Sequence, residues 1–195
     1  MKRLLIILCA ALAIISLSVG QNAYAGNYEF SLNPGDLNLS HDYAYSWGIS
    51  LSLQPDESIT GVSLTFNNLN NWGADPNFLY INLLESAPLG IKKLKDKKDG
   101  NYFEKKGLLL DEYIDSSPSA EDYIYFFTEE EILALNKALN DGVFGFGLDP
   151  DCQYNENGAT AKILTTQSIP EPGTLVLLGS GLAGLAFFRR FKINV

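Results

Sequence analysis

Apolar and polar side chains alternate with a period of two in short runs through the middle of the chain. The run 43–53, YAYSWGISLSL, is the clearest. Tyr43, Tyr45, Trp47, Ile49, Leu51 and Leu53 fall on one side, and Ala44, Ser46, Gly48, Ser50 and Ser52 on the other. Successive side chains of a strand point to opposite faces, so this pattern predicts a half-buried β-strand. GVSLTF (61–66) repeats it through Val62, Leu64 and Phe66. FLYINLL (78–84), LLLDEYI (108–114) and YIYFF (123–127) are apolar on both sides, which predicts central strands. VFGFGL (143–148) sets Phe144, Phe146 and Leu148 against Gly145 and Gly147. ATAKILTT (159–166) and a weaker YEFSL (28–32) bring the predicted strands to eight. One segment has a helical period instead. In TEEEILALNKALNDG (128–142), Thr128 and Glu131 have the spacing of a capping box, and Glu129 to Glu131 lie at the positive end of the helix dipole. Ile132, Leu135, Ala138 and Leu139 form its apolar stripe, and Gly142 suits a left-handed C-cap. The predicted fold is all-β, an antiparallel β-sandwich of jelly-roll type with one short helix, with a partly closed barrel as the alternative.

The two ends follow a different pattern. Lys2 and Arg3 precede an apolar stretch of 16 residues, Leu4 to Val19, and Ala23-Tyr24-Ala25 places small residues at the −3 and −1 positions of a cleavage site. This predicts a secretory signal peptide over 1–25, cut after Ala25. At the other end, Pro170 and Pro172 hold Ile169-Pro170-Glu171-Pro172 extended. Thr174 to Phe188 contains no charge, then Arg189 and Arg190 follow. A helix of that length spans roughly 22 Å, short of the ~30 Å hydrocarbon core, and snorkelling arginines close the gap. Such a segment predicts a C-terminal transmembrane helix stopped by Arg189 and Arg190, with the cationic end in the cytoplasm. The expected organisation is therefore 1–25 signal peptide, 26–167 exported domain and 168–195 sorting and anchor segment.

Pro170-Glu171-Pro172, the short apolar helix and the arginine pair, in this order and behind an export signal, resemble the PEP-CTERM sorting signal of exported bacterial proteins. The resemblance implies processing near the triplet by an exosortase-type membrane protease. It also implies a Gram-negative bacterium that makes exopolysaccharide. The expected route is the inner membrane with the domain in the periplasm, then the cell surface or extracellular matrix. The match is confined to the tail and implies nothing about the fold of the middle.

Charge narrows the partners. Residues 26–167 hold 9 basic and 22 acidic side chains, a net −13. Phosphate backbones are repelled by such a domain, so nucleic acid is excluded as a partner. Seven of the basic residues fall within IKKLKDKKDGNYFEKKG (91–107), whose interspersed acids predict a solvated inter-strand loop. With the signal removed, Cys152 is the one remaining thiol and no internal disulfide can form.

Candidate chemistry is sparse. Gly179, Gly181 and Gly184 spell a dinucleotide fingerprint inside the apolar tail, but no βαβ unit or later acid accompanies them. His41 is the only histidine, which rules out a histidine-rich zinc site, and no serine stands in a nucleophile-elbow motif. GLDPDCQYNENG puts Asp149, Asp151, Asn155, Glu156 and Asn157 at short intervals, a set of oxygens suited to calcium or simply to a turn. Trp72, in the polar segment NNLNNWGADPN, and Tyr154 are candidate rings for stacking on sugars, whereas Trp47 belongs to a core face. The leading expectation is a non-catalytic protein of the envelope or exopolysaccharide. The alternative is a polysaccharide hydrolase using paired carboxylates, with no spacing that singles out a pair.

Overall fold

The computed structural model describes residues 25–32, 39–73, 77–96, 100–115, 119–139 and 142–167, together with Gly181. The chain divides into two units, Ala25–Gln167 and a second made of 1–24 with 168–195. The signal peptide, the proline triplet and the apolar tail with Arg189 and Arg190 lie outside the described residues. Among the described residues no helix is long and apolar enough to cross a membrane.

Ala25–Gln167 is built from β1 (Asn27–Leu32), β2 (Tyr43–Ser50), β3 (Glu57–Asn71), β4 (Asn77–Leu84), β5 (Gly90–Lys95), β6 (Leu108–Asp115), β7 (Glu121–Phe126), α1 (Glu129–Ala138), β8 (Val143–Pro150), β9 (Tyr154–Asn155) and β10 (Ala159–Gln167). One sheet runs β1-β10-β3-β7, with β9 also on β3, and the other β5-β2-β8-β4-β6. All strand pairs are antiparallel. The partners are nested: β1 with β10, β2 with β8, β3 with β7, β4 with β6. A single long hairpin wound over itself gives this nesting, and the contacts β10–β3 and β8–β4 close the winding. That is a jelly roll, with β5 and β9 added to the eight strands that alternation predicts.

The inner faces meet in one core. From one sheet come Val62, Leu64, Phe66, Ala161 and Ile163, and from the other Trp47, Ile49, Ile81, Phe144, Phe146 and Leu148. The Phe146 ring lies 5.7 Å from that of Trp47, tilted, and 5.5 Å from that of Phe144, edge to face, the geometry aromatic quadrupoles favour. β3 is longer than its visible alternation because it is re-phased twice. Register shifts opposite Leu164/Thr165 and between Phe66 and Leu69 return Ile59 and Leu69 to the core side.

Three expectations need correction. β2 is buried on both faces rather than one. The lysine-rich segment is not simply a solvated loop. Its first part forms β5, an edge strand along β2, and its second part inserts Phe103 onto the outer face of the sheet, where it is 2 % exposed. Phe103 forms a second small core with Ala44, Leu84 and Ala87. Glycines make room for this cover: a Cβ on Gly147 would lie 2.7 Å from the Phe103 ring, and one on Gly48 would lie 2.6 Å from the Pro88 carbonyl carbon. The lysines that remain outside line an edge, where charge discourages pairing with another strand. Finally, LLLDEYI and YIYFF form the edge strands β6 and β7, not central ones, and leave Ile114, Ile124 and Phe126 exposed.

Helix α1 bridges the end of the sandwich. Thr128 caps it with a complete capping box, worth about 1 kcal/mol. The last turn closes at Leu139, and Gly142, with φ +76°, hydrogen-bonds back to the Leu139 carbonyl three residues later. Asn136 donates to the Ile59 carbonyl at 3.1 Å and accepts from the Ile59 amide at 3.0 Å. Its amide thus serves Ile59 as a neighbouring strand would.

Candidate ligand-binding groove

The outer face of the sheet β1-β10-β3-β7 carries a groove of about 250 Å³. Its origin is local. On β3, Gly61 pairs with Leu164 and Ile59 with Thr165, so Thr60 is the extra residue of a β-bulge. Gly61, next to the bulge, faces outward with no side chain, which leaves the floor low between its neighbours. Leu164 on β10 forms one wall and Phe126 on β7 the other, at 51 % and 70 % exposure. Asn27, Thr60, Ser63 and Lys162 supply the polar lining. Lys162 is 3.6 Å from Glu29 across the β1–β10 pair, so its charge is offset. The groove therefore joins an exposed aromatic ring to hydroxyl groups without a net field. The sequence signal for it was a glycine inside a strand pattern, at 61, beside an apolar doublet, Phe126-Phe127, of which only one ring fits the core.

A larger depression, about 510 Å³, lies between Glu85, Glu104, Lys105, Lys106, Lys137 and Leu108. It presents no aromatic face, and the Lys106 ammonium sits 3.4 Å over the Tyr102 ring.

The sequence candidates fall as follows. Trp72 is 73 % exposed, between β3 and β4. Tyr154 is fully buried, donates to the Asn77 carbonyl at 2.6 Å and packs on Tyr113, so it is a core residue and cannot stack on a surface ligand. Burial, with Asp115 nearby, raises its phenol pKa. The five oxygens of the 149–157 segment do not converge. Asp149 is buried under the 100–107 loop and accepts the Tyr102 amide at 2.6 Å. Glu156 turns back onto the Gly158 amide. Asp151, Asn155 and Asn157 are exposed, and the Asp151 and Asn157 amides hydrogen-bond the Phe78 and Asn67 carbonyls. The strand's end explains the separation, since Asp149 still lies in β8 and the chain turns away after Pro150. Among the described residues no group of three or more His, Cys, Asp or Glu side chains is arranged around a metal position. His41 is exposed, 3.6 Å from Asp42, and Cys152 is a free, half-buried thiol.

Burial raises the Asp149 pKa to about 6, with Asp96 and Asp151 adding repulsion and the Tyr102 amide opposing it. Tyr123 and Tyr125 are also raised, by burial first and then by hydrogen bonds to Asp111 and Glu131.

Comparison with known families completes the picture at the other end of the chain. The model of the PEP-CTERM protein-sorting motif matches residues 168–190. The chain carries a PEP-CTERM sorting motif. The motif spans Pro170, Glu171, Pro172, the apolar run and Arg189-Arg190, and it marks an exported, exosortase-sorted protein of the cell envelope or surface, anchored in the membrane at its C-terminus. No curated protein matches the chain in sequence. The PEP-CTERM match leaves Ala25–Gln167 untouched, so the role of that unit rests on its own geometry.

Proposed function

We propose that this PEP-CTERM protein is a non-catalytic glycan-binding module, exported through its signal peptide and held at the envelope within the producer's exopolysaccharide. The observation that carries the reading is the groove at Gly61. A pyranose ring has an apolar C–H face and a rim of hydroxyls. Phe126 and Leu164 complement the first, and Thr60 and Ser63 the second. The volume suits one or two rings, and a net-acidic domain with an offset lysine favours a neutral polymer over a polyanion. Trp72 supplies a further exposed ring elsewhere on the domain. In this reading the tail crosses the inner membrane with Arg189 and Arg190 on the cytoplasmic side, and the exosortase acts at Pro170-Glu171-Pro172. Calcium is not required by the groove.

The test uses the purified 26–167 unit and the producer's own polysaccharide. Co-sedimentation without new reducing ends is expected, and Phe126→Ala is expected to weaken it at least tenfold while leaving the melting temperature within about 2 °C. Binding equal in wild type and Phe126→Ala removes the groove from the reading. Release of reducing ends overturns the non-catalytic assignment in favour of a hydrolase.

A further inference from the structure

The first residues after the predicted signal cleavage are tied into the domain. Gly26 is buried, its N–H donates to Thr165 Oγ1 at 3.2 Å, and its carbonyl accepts the Thr165 amide at 3.0 Å. Thr165 is 3 % exposed, and its hydroxyl donates to Glu57. Glu57 also accepts the Gln54 amide at 2.7 Å and the Tyr28 hydroxyl at 3.2 Å. A Cβ built on Gly26 would lie 2.8 Å from Glu57 Oε1. The Gly26 nitrogen is therefore within about 5 Å of that carboxylate oxygen.

Three strands meet here: β1 begins, β10 ends and β3 begins. Glu57 joins them, accepting the Thr165 hydroxyl of β10, the Tyr28 hydroxyl of β1 and the Gln54 amide ahead of β3. Among the described residues no Lys or Arg forms an ion pair with Glu57. The three donors outweigh its partial burial and hold its pKa below the usual carboxylate value, so it is ionised at neutral pH.

We propose that cleavage after Ala25 creates that cation: the new α-ammonium of Gly26 pairs with Glu57 through and beside Thr165, and locks the start of β1 to β3 and β10. Hydrolysis of the Ala25–Gly26 amide consumes one water, leaving a carboxylate on Ala25 and an amine on Gly26, which is protonated at neutral pH. Before cleavage the same nitrogen is a neutral amide and contributes only its N–H. Export thus completes the fold, and Asn27, which borders the ligand groove, is fixed by the residue before it. The proposal rests on the export reading above.

The experiment compares the 26–167 unit, whose core is self-contained, with a free and with an acetylated Gly26 amine. Acetylation keeps the N–H and removes the charge. The free amine is expected to melt about 3–5 °C higher in wild type, and the two forms within about 1 °C of each other in Glu57→Gln. An equal acetylation effect in both backgrounds, or none in wild type, overturns the lock. If Glu57→Gln does not fold, NMR titration of the wild-type α-amine decides: a pKa raised above the usual ~7.8 supports the pair, and one at or below it sinks the pair. Mass spectrometry of the exported protein tests the dependence on export separately. A terminus other than Gly26 overturns the coupling to maturation whatever the melting series gives.

Discussion

Replacing Asp149 by asparagine should stabilise this protein, and only above a defined pH. Asp149 is 2 % exposed on the outer face of β8, beneath the 100–107 loop. Burial raises its carboxyl from 3.8 to about 6, a rise of roughly two units that is equivalent to about 3 kcal/mol. The folded-state pKa lies above the unfolded one, so the native state holds the proton more tightly through that interval. Raising the pH from 3.8 to about 6 therefore removes stability, and above it the ionised Asp149 weighs fully against the fold. Asparagine keeps an oxygen for the Tyr102 amide. The rise already nets that hydrogen bond against burial and the repulsion from Asp96 and Asp151, so neither is counted again. The gain near pH 7.5 is then up to about 3 kcal/mol. Urea titrations of the 26–167 unit, with chelator present, should show Asp149→Asn and wild type diverging as pH rises from 4 and running parallel above about 7. Titrating groups other than Asp96 and Asp151, which repel Asp149 directly, cancel in the difference. A gap independent of pH, or a variant less stable than wild type at pH 7.5, would refute the assignment of Asp149 as a desolvated, destabilising carboxylate.

Gly48→Ala forces a Cβ to within 2.6 Å of the Pro88 carbonyl carbon and 2.8 Å of the Ala87 oxygen, both backbone, and should cost at least ~2 kcal/mol in urea titrations; a neutral result would mean that the 85–89 crossing is not held against β2. Asn136→Leu removes both hydrogen bonds to Ile59 and should lower stability by about 1–3 kcal/mol, with faster amide exchange at Ile59; unchanged exchange would deny α1 its role as a strand substitute. Alanine at both Glu171 and Pro172 should leave the folded unit intact yet block tail processing in the producing cell, read by gel mobility and fractionation; normal processing would remove the triplet from the recognition step.

How much of this was visible in the chain depends on what each pattern reports. Alternation reports a face, and all eight strands it marked are present because Phe66, Trp47 or Phe146 can only sit inward at that spacing. Apolar content does not report position within a sheet. Ile124 and Phe126 on β7 look like the outer side of a covered strand, yet β7 is an edge and both are exposed. Conversely, Gly145 and Gly147 look like an uncovered side, yet the absent side chains are what admit Ala87 and Phe103. A segment distant in sequence made the difference each time, and local period carries no information about it. The lysine count of 91–107 likewise obscured Phe103, because one buried ring can fold a segment whose average is strongly polar.

The same logic bears on the groove. Two faces of this sandwich point away from the core, and each carries apolar side chains. On one, the chain supplies its own cover from 85–89 and 100–107, and glycines are matched to it by contact. On the other, Gly61 stands beside a bulge with its built Cβ no closer than 3.4 Å to the Leu164 side chain, and Phe126 remains 70 % exposed. A glycine kept small for packing has a neighbour filling its space. Gly61 has room for a Cβ, in ordinary contact with the Leu164 side chain, at the floor of a space bounded by a ring and hydroxyls. If that space has no occupant, Gly61→Val should be harmless or mildly stabilising, since valine favours strands and the floor can hold it. If a sugar lies there, the same change should leave the melting temperature alone and abolish polysaccharide binding, so one substitution, measured both ways, separates a vacant sheet face from a site.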